Sequence, residues 1–375
     1  MNEQWEEIRP FYEGMACVKK GGQYGFINEQ GELVIPCEYT SARDFSEGFA
    51  AVSQELYGNR YWDFVDKTGK RFHSGFWHWK WVWDFKDGVA KVSADSQRDL
   101  DDTIWQDVCC IDTTGTYISG PWADIGEFRE GMAWVLQRNE DDWEDAYYGY
   151  INCSGVLVSP CQWDEAWDFD EGIALVKKND CYGAIDTAGK QVTPCQWDEV
   201  IIFSEGYAEV SKGGKSGCID KFGNLVTPCQ WDHVGFFTDG YCKVYKGEKC
   251  GLIDTHGKLV ISCQWDYVDD DFFEGHALVS NGDKCGMVDE TGKLVIPCEW
   301  DNISYHFYEG RTEVTRDRKH GLVDKTGRLV IPCQWNWMNR WEDGTAEFGN
   351  DLEIYRMDRD GIITQQPLPD YWSKK

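Results

Sequence analysis

The sequence predicts an all-β protein, a tandem array of about ten three-stranded β-repeats of 34 to 43 residues each. Three observations predict it. An aromatic residue, any residue, an acidic residue and Gly recur in that order, ending at Gly14, Gly48, Gly88, Gly131, Gly172, Gly206, Gly240, Gly275, Gly310 and Gly344. In phase with it runs Asp or Asn, two residues, then Gly, as in Asn28/Gly31, Asp186/Gly189, Asp220/Gly223 and Asp324/Gly327. The segments between are short, β-branched and aromatic, and no stretch sustains helical periodicity.

One copy, Gly206 to Phe237, gives the elements in order. Tyr207 to Val210 reads as a strand, and Cys218-Ile219-Asp220 as a second that runs into a turn. At that turn Asp bonds nearby N–H groups and Gly takes the left-handed conformation that closes a hairpin. Leu225 to Pro228 is a third strand leading into Cys229-Gln230-Trp231-Asp232. The last element recurs at Cys161, Cys195 and Cys263, with near copies at Cys37, Cys298 and Cys333. Alternation along a strand puts Cys and Trp on one face and Gln and Asp on the other, so the Trp belongs to the core. With 20 Trp, 18 Tyr and 18 Phe, stacked neighbours bury what one small unit alone could not. Trp5 stands six residues before Phe11, as Trp197 does before Phe203. The array is therefore expected as a curved solenoid of one domain over 1–375, with atypical ends at 1–14 and 345–375. This end phasing leaves a closed, propeller-like ring as the competing form.

The residues Phe203 to Gly206, Gly183 to Asp186 and Gly292 to Pro297, with the Trp-Asp that follows, carry a family resemblance. From about Trp5 to Gly361 the chain resembles the WG-repeat proteins, named for a Trp-Gly pair before the hairpin turn. It departs from them at the Trp itself. That slot holds Tyr24, Tyr148, Tyr182, Ser216, Cys250, Cys285 and His320, each followed by Gly, while Trp62 is followed by Asp63. The resemblance implies a bacterial β-repeat protein with a binding or scaffolding role and no reaction.

A formal net charge of −29 speaks against nucleic acid or an anionic membrane as partner, since both need Lys and Arg at the contact. It permits a basic partner, and it also serves solubility. The 16 Cys fall mostly at strand positions and lack Cys-x-x-Cys spacing. They read as small buried hydrophobes rather than disulfides or zinc ligands, and no metal or cofactor is expected. The start lacks a basic segment with an apolar core, so the expected location is the cytoplasm. The 7 His have no recurring partner, and Asp269, Asp270 and Asp271 lack the ligand spacing of a calcium loop. The expectation is a protein that is not an enzyme.

The functional clue is an expansion over residues 49–172, where three consecutive repeats lengthen to 40, 43 and 41 residues. The extra residues are read as loops at Ser53 to Tyr61, Ser93 to Asp107 and Gln137 to Tyr147. Insertions at equivalent positions emerge on one side of an array, and these carry Tyr57, Arg60, Asp101, Trp105, Trp143, Asp145 and Tyr147 as candidate binding residues. Drift in tolerant hairpins is the competing account. The expected function is protein binding or scaffolding, with a partner that offers a basic or aromatic segment. The alternative is a carbohydrate- or cell-wall-binding module, which requires the repeat Trp to be exposed.

Overall fold

The computed structural model describes residues 5–73, 79–93, 107–139, 145–339 and 345–367. Among these residues there is no helix, and the strands form ten antiparallel sheets in chain order, eight of four strands and two of three. Each sheet is one repeat. The chain divides into two compact units, Met1–Trp197 and Asp198–Lys375.

In a regular repeat the strands are Glu199–Val200, Tyr207–Lys212, Lys215–Asp220 and Leu225–Trp231, paired in that order. The first has only two residues, which is why sequence pattern shows three strands where the sheet has four. Glu205 (φ 52°) and Gly206 (φ 79°) join the first strand to the second, and Gly213 (φ 61°) and Gly214 (φ 73°) join the second to the third. Both are two-residue turns with two positive φ angles, the geometry that suits the twist of a tight hairpin. The acidic residue of the aromatic-x-acidic-Gly pattern thus sits in the left-handed region, an unusual place for a side chain with a Cβ. In the first unit its carboxylate has a task that offsets this. Glu13 accepts the Glu47 and Gly48 N–H groups at 2.6 and 2.8 Å, Glu47 accepts those of Asp87 and Gly88 at 2.8 Å, and Glu130 accepts that of Gly172. Each of these turns presents adjacent N–H groups as an anion-binding nest, and a neighbouring repeat supplies the anion.

The third and fourth strands meet at the Asp-x-x-Gly turn. Asp220 Oδ1 accepts the N–H groups of Phe222 and Asn224 at 2.9 and 2.8 Å, and Gly223 has φ 81°. Gly189, Gly257 and Gly292 are equally left-handed, as the turn reading requires.

The fourth strand bulges. Ser216 pairs with Trp231 and Cys218 with Thr227, so the bulged segment lies over Gly217. A Cβ on Gly217 would stand 2.6 Å from the Thr227 carbonyl oxygen, which explains why Gly persists in the slot whose Trp is lost. Two expanded repeats solve this crossing differently. Cys109 occupies the slot in one, and the glycine moves to the facing strand as Gly120, whose Cβ would lie 2.9 Å from Cys109 Cα. Asp63 occupies it in the other, with no solvent exposure, held by Arg71 at 3.0 Å and by His73 at 3.3 Å. That repeat is two residues longer from Gly69 to Gly88 than the regular one is from Gly223 to Gly240.

The recurrent Trp is core. Trp163, Trp197, Trp231, Trp265, Trp300 and Trp335 are 2 to 7 % exposed. Consecutive sheets share their apolar layer, as where Cys218 and Trp231 of one repeat cluster with Val234, Phe237 and Cys242 of the next. The recurrent Cys borders this layer. Cys229, Cys263, Cys298 and Cys333 each aim Sγ at the carbonyl oxygen of Val210, Val244, Val279 and Val314 respectively. Burial pushes these thiols up from their ordinary value, Cys298 to about 11.

Candidate functional site

The two-residue turn between second and third strands is tied down in the regular repeats of the second unit. The Asp that follows the core Trp reaches the next hairpin turn: Asp198 accepts Gly213 N–H, Asp232 accepts Gly247 N–H and Asp266 accepts Gly282 N–H, each at 2.6 Å. Its other oxygen takes a lysine, Lys249 on Asp266 at 2.6 Å and Lys284 on Asp301 at 2.5 Å. Glu6 does the same for Gly21 and Gly22, and Asp164 for Asn179. The carboxylate is missing at Thr40, Lys80 and Ala123, and in the last repeat it is replaced by Asn336. The first three precede the three lengthened hairpins. A carboxylate placed to cap the turn of a regular hairpin does not reach the tip of a longer one, and where the hairpin grows the Asp is gone.

The first lengthened hairpin is an extended strand pair. Phe49–Leu56 and Asn59–Asp66 pair throughout, Ser53 is buried, and the turn is Tyr57-Gly58. The loop expected over Ser53 to Tyr61 is therefore corrected to strand, because the insertion keeps the in-register pairing that continues the sheet. Tyr57 sits at its tip with φ 54° and full exposure, 102 %. Arg60 is exposed and faces Glu55 across the pair. In the third lengthened hairpin Met132–Arg138 and Ala146–Asn152 pair out to Arg138 and Ala146, so Gln137 and Tyr147 are strand residues too. Tyr147 bonds Asp145 through its hydroxyl at 3.4 Å, and the Asp145 charge pushes the phenol up from its ordinary value. Asp101, Trp105 and Trp143 lie outside the described residues. The structure thus places Tyr57 with Arg60 on one hairpin and Asp145 with Tyr147 on another, at the same position in two different sheets.

A second feature lies in the other unit. A cavity of about 400 Å³ opens beside the sheet of residues 302–335, rimmed by Asn302, Tyr305, His306 and Asn339, with Glu313 and His320 in its wall. Ile303, Leu322 and Met338 give it apolar surface. His320 Nδ1 bonds Glu313 Oε1. One repeat earlier the equivalent residues are Leu278 and Cys285, which pack with Ile303 into a closed core cluster. The cavity therefore marks a departure from the preceding repeat, while three repeats earlier the same strand position holds Glu209, which bonds His233 and the Val234 N–H. Sequence reasoning missed it, although the signal was present: His320 stands where the family has Trp, and Glu313 where the preceding repeat has Leu278.

Among the described residues no group of three or more His, Cys, Asp or Glu is placed to hold a metal ion. The same residues contain no helix long and apolar enough to cross a membrane.

This architecture defines a tandem β-sheet repeat protein. The profile of the WG containing repeat matches residues 4–24, 24–55, 148–180, 182–215, 217–250, 251–285, 286–319 and 321–351, and the chain belongs to that family. Residues 56–147, between the second and third matches, hold the expansion. No curated protein matches the chain. Among solved structures it is similar to the tricorn protease at 13% identity and TM-score 0.26, covering 97% of this chain and 44% of that one. It is similar to the eukaryotic initiation factor at 10% identity and TM-score 0.31, covering 78% and 87%. Puromycin hydrolase gives 12% identity and TM-score 0.21, covering 66% and 54%. The chain spans less than half of the tricorn protease, and likenesses this low carry no argument about shape or chemistry.

Proposed function

We propose that this WG-repeat protein is a non-catalytic scaffold that binds another protein through the lengthened hairpins of its expanded repeats. The observation that carries the reading is the coupled change at those hairpins. In the first and third expanded repeats the second and third strands extend beyond the regular length, and Thr40 and Ala123 stand where regular repeats have the capping Asp; Lys80 holds that position before the second insertion. Residues common to all repeats are absorbed by turns, crossings and core. What remains at the tips is a fully exposed Tyr57 beside Arg60, and Tyr147 beside Asp145. Aromatic and Arg anchors suit recognition, and the net charge of −29 favours a partner segment that is basic or aromatic. A reducing, cytoplasmic setting fits the buried thiols. The carbohydrate alternative loses its original basis, since the repeat Trp is buried.

The test replaces all three hairpins with the Gly-Gly turn of residues 213–214 and installs Asp at 40, 80 and 123. A photo-cross-linking residue at 57 in the otherwise natural chain should trap a protein that the same probe at Phe222, an exposed turn position in the regular array, does not. The shortened protein should unfold at the same temperature and lose that partner. Retention of the partner by the shortened protein would show that binding lies elsewhere.

A further inference from the structure

We infer that the cavity walled by Glu313 and His320 is a second binding site, independent of the hairpins, and that it takes a neutral polyhydroxylated small molecule of the size of a mono- or disaccharide. The inference starts from the comparison between repeats. At the preceding sheet interface Leu278 and Cys285 pack with Ile303 in one apolar cluster. At this interface the same two positions are Glu313 and His320, in register beside Leu322 and Thr315, and a volume of about 400 Å³ stays open. A packing interface gains nothing from exchanging two apolar side chains for a carboxylate and an imidazole, because each must then be kept hydrogen-bonded. The pair is kept so: the imidazole Nδ1 is committed to the carboxylate, which leaves one carboxylate oxygen and one imidazole nitrogen for a ligand.

The wall chemistry selects the ligand class. An organic cation calls for several acceptors of negative charge, and this cavity has one carboxylate, already bonded to His320. An anion calls for Lys or Arg, and neither lines it among the described residues. Neutral groups that both donate and accept prevail instead, with Asn302, Tyr305 and Asn339 at the mouth. A ring of vicinal hydroxyls needs that mixture on its edge and apolar surface under its C–H face, which Ile303, Leu322 and Met338 supply. The volume falls within the usual range of small-molecule pockets, roughly 300 to 1,000 Å³.

The experiment uses the full chain and a fixed panel: glucose, N-acetylglucosamine, cellobiose and the amine agmatine, each followed by isothermal titration and by the NMR signals of the His306 and His320 rings. At least one sugar should bind saturably and shift both rings. Asn302→Ala should weaken it by ~10-fold, the loss of one or two hydrogen bonds. The double variant Glu313→Leu, His320→Cys copies the preceding repeat, so it should fold, melt no lower than the natural protein and bind nothing. The protein with shortened hairpins should bind the sugar as the natural one does, which separates this site from the proposed partner surface. The inference is overturned if no sugar saturates, if the double variant binds as well as the natural chain, or if agmatine alone binds.

Discussion

Single residues in this chain answer to their place in the repeat, and the recurrent indole shows how closely. Trp163, Trp197 and Trp231 donate their ring N–H to Ser159, Thr193 and Thr227 at 2.9 Å. Where that strand position is Ile261, Ile296 or Ile331, the buried N–H of Trp265, Trp300 or Trp335 has no hydrogen-bond partner among the described residues. A hydroxyl four residues before the Trp is thus a matched partner, and removing it strands a buried donor. Thr227→Val should cost about 1 to 3 kcal/mol in urea denaturation, and Trp231→Ala about 3 to 5 kcal/mol from the lost core volume. If Thr227→Val leaves the midpoint unchanged, the indole bond adds nothing beyond what the Ile-bearing repeats manage without. The glycine of the family's Trp-Gly pair is the other strict position. Gly217→Ala drives a Cβ into the Thr227 carbonyl and the Cys229 amide, so a loss of about 1 to 3 kcal/mol is expected from overpacking. The equivalent Asp63 is tolerated because its strand crossing is rebuilt around Arg71 and His73.

At the scale of the hairpin, the capping Asp converts a flexible turn into part of the array. Asp266→Ala should raise the hydrogen-exchange rate of the Gly282 amide while leaving Gly247, capped by Asp232, as it was. Equal acceleration at both amides would mean that the sheet had loosened as a whole. Much of this element was legible beforehand. The turn glycines, the three longer strands and the core face of the Cys-x-Trp run follow from local chemistry with a fixed period, and local chemistry is what a sequence displays. The two-residue first strand was not legible, since Glu199–Val200 pairs only with Ser211 and Val210 and has no pattern of its own. Nor was the reach of Asp266 to Gly282, sixteen residues ahead, because that contact exists only once the two-residue strand Tyr267–Val268 has paired with the strand that leads to the turn. The same limit hid the site features. Tyr57 and Arg60 were visible as insertion residues, but the strand pairing that carries them was not, and Glu313 with His320 stood out only when set beside Leu278 and Cys285 in the preceding interface.

For the molecule as a whole, the titrating groups set a window of stability with two different edges. On the acid side, the turn and cap carboxylates are held below their ordinary value of 3.8: Asp112 and Asp289 chiefly by the hydroxyls of Thr114 and Thr291, Asp232 and Asp301 chiefly by Lys215 and Lys284. A carboxylate depressed in the folded state stabilises above its unfolded value, and the contribution is lost as pH falls through the folded one, so the acid limb should begin near pH 4. On the alkaline side burial raises thiols from an ordinary 9.0, with Cys17, Cys110 and Cys218 each pushed up to about 12. Between those two values the unfolded chain has released the proton and the folded chain has kept it, so stability falls with rising pH from about 9 upward. The denaturant midpoint should therefore be level from about pH 5 to about pH 8 and decline on both sides. Replacing Cys17, Cys110 and Cys218 together with Ala should lower the plateau, because buried volume is lost, and flatten the alkaline limb between pH 9 and pH 12. An alkaline limb of unchanged slope in that triple variant would assign the loss to other groups, with the buried Tyr39, also raised to about 12, the next to replace.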